Sequence, residues 1–230
     1  MWIDYLVWIL PVLMVSSMII SKAVFFKSGG WKICLSCMWT LFHACSVTLA
    51  FVPQPRVLGL FDLNPLTPFT AYGWIAVVAG SSVIAWSIYR LSGALRQIRF
   101  ATSGMQVPHF LVTDGCYRKV RHPFYAYLLI FYAGYYCVFN SPVGLLLCLL
   151  FGISSYHDAI KEEEKQLIPL FGERYLGYSS RVRSRFFDKT NFVALAVPCT
   201  WLLVGAALFG VVVPWSPEGM LKIIFSMLLT

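Results

Sequence analysis

Apolar residues run along this chain in long unbroken stretches, with polar positions gathered between them. Stretches long enough to cross about 30 Å of hydrocarbon as a helix cover Trp2–Phe26, Trp31–Val52 and Phe69–Leu91. Two shorter ones, Phe124–Phe139 and Val143–Tyr156, are separated only by Asn140, Ser141 and Pro142. That spacing predicts a tight helical hairpin, with Pro142 in the first turn of its second helix. A sixth stretch covers Phe192–Val213, and Leu221–Leu229 is too short to span alone. The pattern predicts an all-α polytopic membrane protein of about six spanning helices, with a short C-terminal interfacial or re-entrant helix. The first stretch has Asp4 near its start rather than a basic segment and lacks a small-x-small cleavage site, so it reads as a spanning helix and not a signal peptide.

Composition agrees. Of the 230 residues, 59% are hydrophobic and 12% charged, whereas a soluble domain carries roughly half and a quarter. The net charge of +8 could suggest nucleic acid, but its carriers do not sit on a soluble domain. The cysteines, several inside apolar runs, read as small hydrophobes of buried helices. Cys34 and Cys37 have no second pair at zinc-ligand spacing, so no metal site is expected.

Charge then sets orientation. If the segments after the first, third and fifth helices share one side, every lysine and arginine except Arg56 and Lys222 lies there. The positive-inside rule places that side in the cytosol and the amino terminus outside. Three regions follow: an N-terminal three-helix part, 1–91; a core, 92–188; and a C-terminal extension, 189–230.

Two segments of that side carry the candidate chemistry. The first reads "QVPHFLVTDGCYRKVRHPFY", ending at Tyr125. Asp114-Gly115 signals a turn, and Pro123 fits the first position of the next helix with His122 at its cap. Free N–H groups at that terminus favour anions, and Arg118, Lys119, Arg121 and His122 add donors. Snorkelling cations beneath an aromatic belt are the competing reading. The second segment, "YHDAIKEEEKQLIPLFGERYLGYSSRVR", brings Asp158, Glu162, Glu163 and Glu164 to the same side. Orientation does not call for acids. A solvated acidic turn paired with Lys161 and Lys165 is one reading; a pocket facing the basic loop across the short hairpin is the other. Glu163, Leu167 and Phe171 fall on one helical stripe. Pro169 should kink or break that helix and Gly172 permit a turn.

These two segments resemble the isoprenylcysteine carboxyl methyltransferases and related integral-membrane phospholipid methyltransferases. The shared pattern is L-V-x-x-G-x-Y-x-x-x-R-H-P-x-Y, a helical hairpin, then E-E-x-x-L-x-x-x-F-G-x-x-Y-x-x-Y. "LVTDGCYRKVRHPFY" and "EEKQLIPLFGERYLGY" match every fixed position, and the resemblance covers roughly Leu95 to Arg185. It implies S-adenosyl-L-methionine as cofactor and a lipophilic acceptor entering from the bilayer among membrane lipids, with no nucleic acid. It also implies a cofactor pocket of His109, Phe110, Leu111, Val112, Tyr117, His122, Pro123, Phe124, Tyr125, Glu163 and Glu164. Glu163 would take the cofactor's ammonium, Glu164 would stand behind it, and Arg121 would orient the loop or meet anionic substrate. Arg121, His122 and Glu163 are the candidate catalytic residues.

Methyl transfer from a sulfonium needs mainly positioning and a dry site. A carboxylate acceptor is already ionised at pH 7, whereas an amine would need a base such as His122 or a glutamate. The resemblance implies carboxyl O-methylation of an isoprenylcysteine-like substrate, with phospholipid or small-molecule methylation as the alternative. An NADPH-dependent membrane reductase is a more distant one. The chain departs from the pattern at Ala159, where the family carries a carboxylate-binding arginine, at Tyr127 in place of a glycine, and at Val182-Arg183 in place of V-P.

Overall fold

The computed structural model describes residues 9–17, 19–20, 31–49, 71–102, 110–139 and 141–209. All regular structure among them is helical. Helix α1 covers residues 9–17, α2 Trp31–Leu49 and α3 Ala71–Thr102; a single 3-10 turn follows at Gly115–Arg118. Then come α4 (Pro123–Val138), α5 (Pro142–Glu162), a π-helical turn (Glu163–Leu167), α6 (Ile168–Phe171), α7 (Glu173–Arg181) and α8 (Lys189–Phe209). Among the described residues one stretch, Ile75–Gln97 in α3, is long and apolar enough to cross a membrane, and Pro123–Val138 and Lys189–Val204 are shorter apolar helices. The expected helix at Leu221–Leu229 lies outside the described residues.

The helix boundaries follow local chemistry. Pro123 and Pro142 each open a helix, where the missing N–H costs nothing and the ring presets φ. Helix α3 outlasts its expected end at Leu91 because Ser92–Thr102 contains helix formers and no Pro. Helix α8 begins three residues before Phe192, since Asp188 Oδ1 accepts the Asn191 N–H at 2.7 Å and caps its first turn.

The chain divides into two compact units. The first comprises Met1–Val78, Tyr136–Leu147 and Thr200–Thr230. Within it Tyr136 donates its hydroxyl to Ser46 O at 3.2 Å, and Ser46 returns its own hydroxyl to Phe42 O at 2.8 Å. The α4–α5 turn closes as expected: Ser141 N donates to Tyr136 O at 2.9 Å, and Ser141 Oγ accepts the Gly144 N–H at 3.1 Å. A Cβ on Gly144 would run into the Tyr136 ring, so the closeness of this turn depends on glycine there.

The second unit, Ala79–Tyr135 with Cys148–Cys199, contains the candidate site. Its helices pack closely because Gly134 lies against Gly80 and Val83, and Gly152 against Leu129. Ala94, Cys116, Tyr127 and Ile130 form a buried cluster backed by Val83, Trp86 and Leu195. Tyr127, which stands where the resembled pattern has a glycine, belongs to this cluster. Its ring meets Trp86 edge to face at 5.7 Å, and its hydroxyl accepts from Arg90 Nε at 3.1 Å.

Candidate functional site

The loop before α4 is built as its residues suggest. Gly115 has φ +60°, and Tyr117 N donates to Asp114 O at 3.1 Å to close the turn. His122 precedes α4, and its carbonyl accepts the Ala126 N–H at 3.3 Å. The loop then pairs with the segment after α7: Arg121 N donates to Ser184 O at 3.0 Å and His122 N to Arg185 O at 2.9 Å. These two bonds fix the backbone on which the arginine and histidine stand.

Opposite them, α5 widens into a π turn at Glu163. Pro169 has no N–H for Lys165 O, and its ring would crowd that carbonyl in α geometry; the wider turn accommodates it. The Glu163/Leu167/Phe171 stripe expected of a regular helix is therefore broken, and of the three only Glu163 is fully buried. Helix α6 stops at Gly172, whose φ of +53° fits the expected turn.

The acidic and basic segments converge on the Glu163 carboxylate. Its Oε1 accepts from Arg121 Nε at 2.9 Å and sits 3.0 Å from His122 Nε2; its Oε2 accepts from Arg121 Nη2 at 3.3 Å and Arg185 Nε at 3.2 Å. Burial alone would raise the Glu163 pKa, but the hydrogen bonds and charges of His122 and Arg121 outweigh it and pull the group down to about 2. Burial likewise opposes charge on His122. Glu162, whose Oε2 lies 3.5 Å from Nδ1, and Glu163 outweigh that burial and raise it above its ordinary value. With a carboxylate facing each ring nitrogen, the imidazolium is the favoured form.

Arg121 is consumed by structure. Besides Glu163 it donates through Nη1 to Val182 O at 2.9 Å, Arg183 O at 3.2 Å and Ser179 O at 3.4 Å. It thereby satisfies carbonyls left over at the end of α7, and its side chain is 7% exposed. These bonds hold the loop before α4 against the end of α7. Tyr178 donates to Tyr117 O at 2.7 Å, tying α7 to the 3-10 turn. The Tyr175 hydroxyl is buried beside the Glu163 carboxylate, and burial together with that charge raises its pKa. An aromatic wall completes the region: Tyr125 stacks on Phe186 at 6.0 Å, Tyr156 meets Phe186 edge-on at 5.6 Å, and Phe124 adjoins Tyr125.

The structure thus joins Arg121, His122 and Glu163 in one buried ion cluster, with Tyr125 beside His122, Tyr117 tied to α7 through Tyr178, and Pro123 and Phe124 following at the start of α4. Leu111 and Val112 are half-buried and Phe110 exposed; His109 lies outside the described residues. Glu164, expected behind Glu163, is exposed on the π turn, because the next residue along a helix points about 100° away. Two residues were missed by sequence reasoning. Glu162 is the second carboxylate on His122, and its membership of the acid run was its only signal. Arg185 reaches Glu163 from beyond the matched motif, and nothing in its spacing marks it. Ala159 is fully buried against Ala126 and Phe186, so no cation stands there.

A phospholipid methyltransferase family model matches residues 69–174. The chain is 26% identical over 183 residues to the protein-S-isoprenylcysteine O-methyltransferase of Xenopus laevis, covering 68% of this chain and 62% of that protein. The Rattus norvegicus protein of the same name is 29% identical over 182 residues, 66% of this chain and 62% of its own length. That of Schizosaccharomyces pombe is 37% identical over 76 residues, 33% of this chain and 32% of its own. The chain spans less than two thirds of these relatives, and no solved structure matches it. The resemblance read from the two-part motif holds: over residues 69–174 the chain is similar to the phospholipid methyltransferase family, and over two thirds of its length to the protein-S-isoprenylcysteine O-methyltransferases.

Proposed function

We propose that this chain is an integral-membrane, S-adenosyl-L-methionine-dependent methyltransferase whose acceptor is lipophilic and already ionised, a carboxylate of the isoprenylcysteine type. The observation that carries the choice of acceptor is the state of the buried cluster. Glu163 has each oxygen met by two donors, and His122 has a carboxylate facing each ring nitrogen, an arrangement that favours the protonated ring over one free to accept a proton. Neither is available to take a proton. A carboxylate needs no base at pH 7, whereas a phospholipid amine does.

Leu111, Val112, Tyr117, His122, Pro123, Phe124, Tyr125 and the glutamates would hold S-adenosyl-L-methionine, with the exposed Phe110 at the rim. The donor set fits: aromatic rings and the partly exposed Glu162 suit a cationic ligand carrying an aromatic base. An ammonium could reach Glu163 only by displacing one of its present donors, of which Arg185 is the most exposed. When bound, the cofactor supplies an electrophilic methyl group for in-line displacement. The chain's part is to orient the acceptor, exclude water and hold charge in place. The reading includes residues 92–188 as the catalytic core of a six-span arrangement, amino terminus outside and site facing the cytosol, supported by the distribution of lysine and arginine.

Calorimetric titration in detergent with S-adenosylhomocysteine and with NADPH tests the class: the first should bind and the second should not. Tight NADPH binding alone would mean a reductase. Incubating methyl-labelled cofactor with extracted membranes tests the acceptor, since base releases label as methanol from an ester and not from an N-methyl product.

A further inference from the structure

Arg121 and Arg185 both hold Glu163, but they use their donors differently. Arg121 spends its guanidinium inward on the carboxylate and the α7 carbonyls. Arg185 gives Nε to Glu163 at 3.2 Å and Nη1 to the Tyr156 hydroxyl at 3.0 Å, and its Nη2 has no partner among the described residues. Its side chain is 30% exposed against 7% for Arg121. The group is also held in place. Its backbone carbonyl accepts from His122 N, and the guanidinium lies 5.5 Å above the Tyr156 ring. A cation fixed on two sides with an open edge is preorganised for a planar oxyanion.

The open edge stands at the end of an apolar track. Leu149, Ile153 and Tyr156 lie at i, i+4 and i+7 on α5, with Leu150 beside them, and all four are exposed. This face faces lipid if α5 crosses the bilayer as proposed, and it ends where Tyr156 meets Arg185. An amphiphile with its tail along Leu149 and Ile153 brings its head to that guanidinium.

We propose that Arg185 is a specificity-determining residue that reads the anionic head of the acceptor, an inference that rests on the methyltransferase reading above. The transfer balances without a proton. A carboxylate oxygen forms a bond to the methyl carbon, the carbon–sulfur bond breaks, and its electron pair neutralises the sulfonium. The acceptor thereby becomes an uncharged ester. Arg185 then attracts the acid and not the product, which favours release of the ester.

The test compares binding of N-acetyl-S-farnesylcysteine with that of its methyl ester, to full-length protein in phosphatidylcholine nanodiscs. The wild-type protein should prefer the acid by roughly 10- to 100-fold, as expected for a hydrogen-bonded charge pair. Arg185→Gln should reduce that preference to about two- to threefold and Arg185→Lys should retain most of it, with acid and ester compared in each variant at saturating S-adenosylhomocysteine. A preference that survives in Arg185→Gln, or none in the wild type, overturns the proposal. Loss of S-adenosylhomocysteine binding and of thermal stability with the preference intact would instead make Arg185 a structural residue. Replacing part of the phosphatidylcholine by phosphatidylglycerol separates the two sources of an oxyanion. The preference should persist, and its disappearance would make this a site for bulk anionic lipid, overturning the acceptor role. Failure of S-adenosylhomocysteine to bind wild-type protein would sink the methyltransferase reading, while the acid-to-ester ratio would still report on Arg185.

Discussion

Replacing Glu163 by glutamine keeps the side-chain volume and removes the charge that Arg121, His122 and Arg185 surround. The cost can be worked in two ways. The carboxyl group is shifted from 4.5 to about 2, and at 1.36 kcal/mol per unit its interactions with the folded protein are worth roughly 3 kcal/mol. Independently, removing one partner of a buried ion pair costs about 3–5 kcal/mol, because the remaining charge is left desolvated. The two routes agree at about 3 kcal/mol for Glu163→Gln. For a protein of this size that corresponds to a Tm lower by about 6–12 °C at pH 7. Thermal unfolding in detergent, followed by tryptophan fluorescence at a single scan rate, reads the difference. The pH dependence adds a signature. Because the folded-state pKa is depressed, the carboxylate stabilises the wild-type protein fully above pH 4.5, and that stabilisation is lost as pH falls toward about 2. The gap between wild type and variant should narrow over this window. Equal Tm values at pH 7, or a gap that does not respond to acid, would refute the picture of a buried carboxylate held by three cations.

Three further outcomes follow from the same geometry. The His122 pKa is raised above 6.5, so its charged contacts stabilise the fold fully below that pH and are lost as pH rises through the folded-state value. His122→Gln should therefore lower Tm most at pH 6 and progressively less under alkaline conditions. Gly172 has φ +53° and ψ −130°, and a Cβ there would stand in open space, so Gly172→Ala should cost about 1–3 kcal/mol through backbone strain alone. Calorimetric titration should find its S-adenosylhomocysteine affinity unchanged once folded. Tyr178→Phe removes the donor to Tyr117 O and should cost about 1–2 kcal/mol, with faster hydrogen exchange confined to residues 114–121.

Much of the helical skeleton was legible because it depends on nearby residues. Pro123 and Pro142 start helices wherever a chain leaves a free N–H at a first turn, and Gly115 and Gly172 turn because they lack a Cβ. The order of apolar runs set the helices between them, apart from the C-terminal ends of α3 and α5, which polar residues carry on, and the start of α8, which the Asp188 cap moves. The two-part motif also named most of the residues that meet at the site.

The sequence by itself determined which residue types stand on which helix and loop, since caps, turns and hydrophobic runs act over a few positions. Tertiary structure alone decided how the charges were paired. Arg121 is an anchor for α7 rather than a free cation, because the carbonyls it satisfies lie about sixty residues away in a segment brought alongside by backbone bonds. Glu162 and Glu163 took the inner positions and Glu164 the outer one, because the π turn set which way each residue points. Arg185 joined the cluster from outside the motif. Spacing along a chain says nothing about such meetings, since Coulombic attraction and desolvation act through the distances that folding creates.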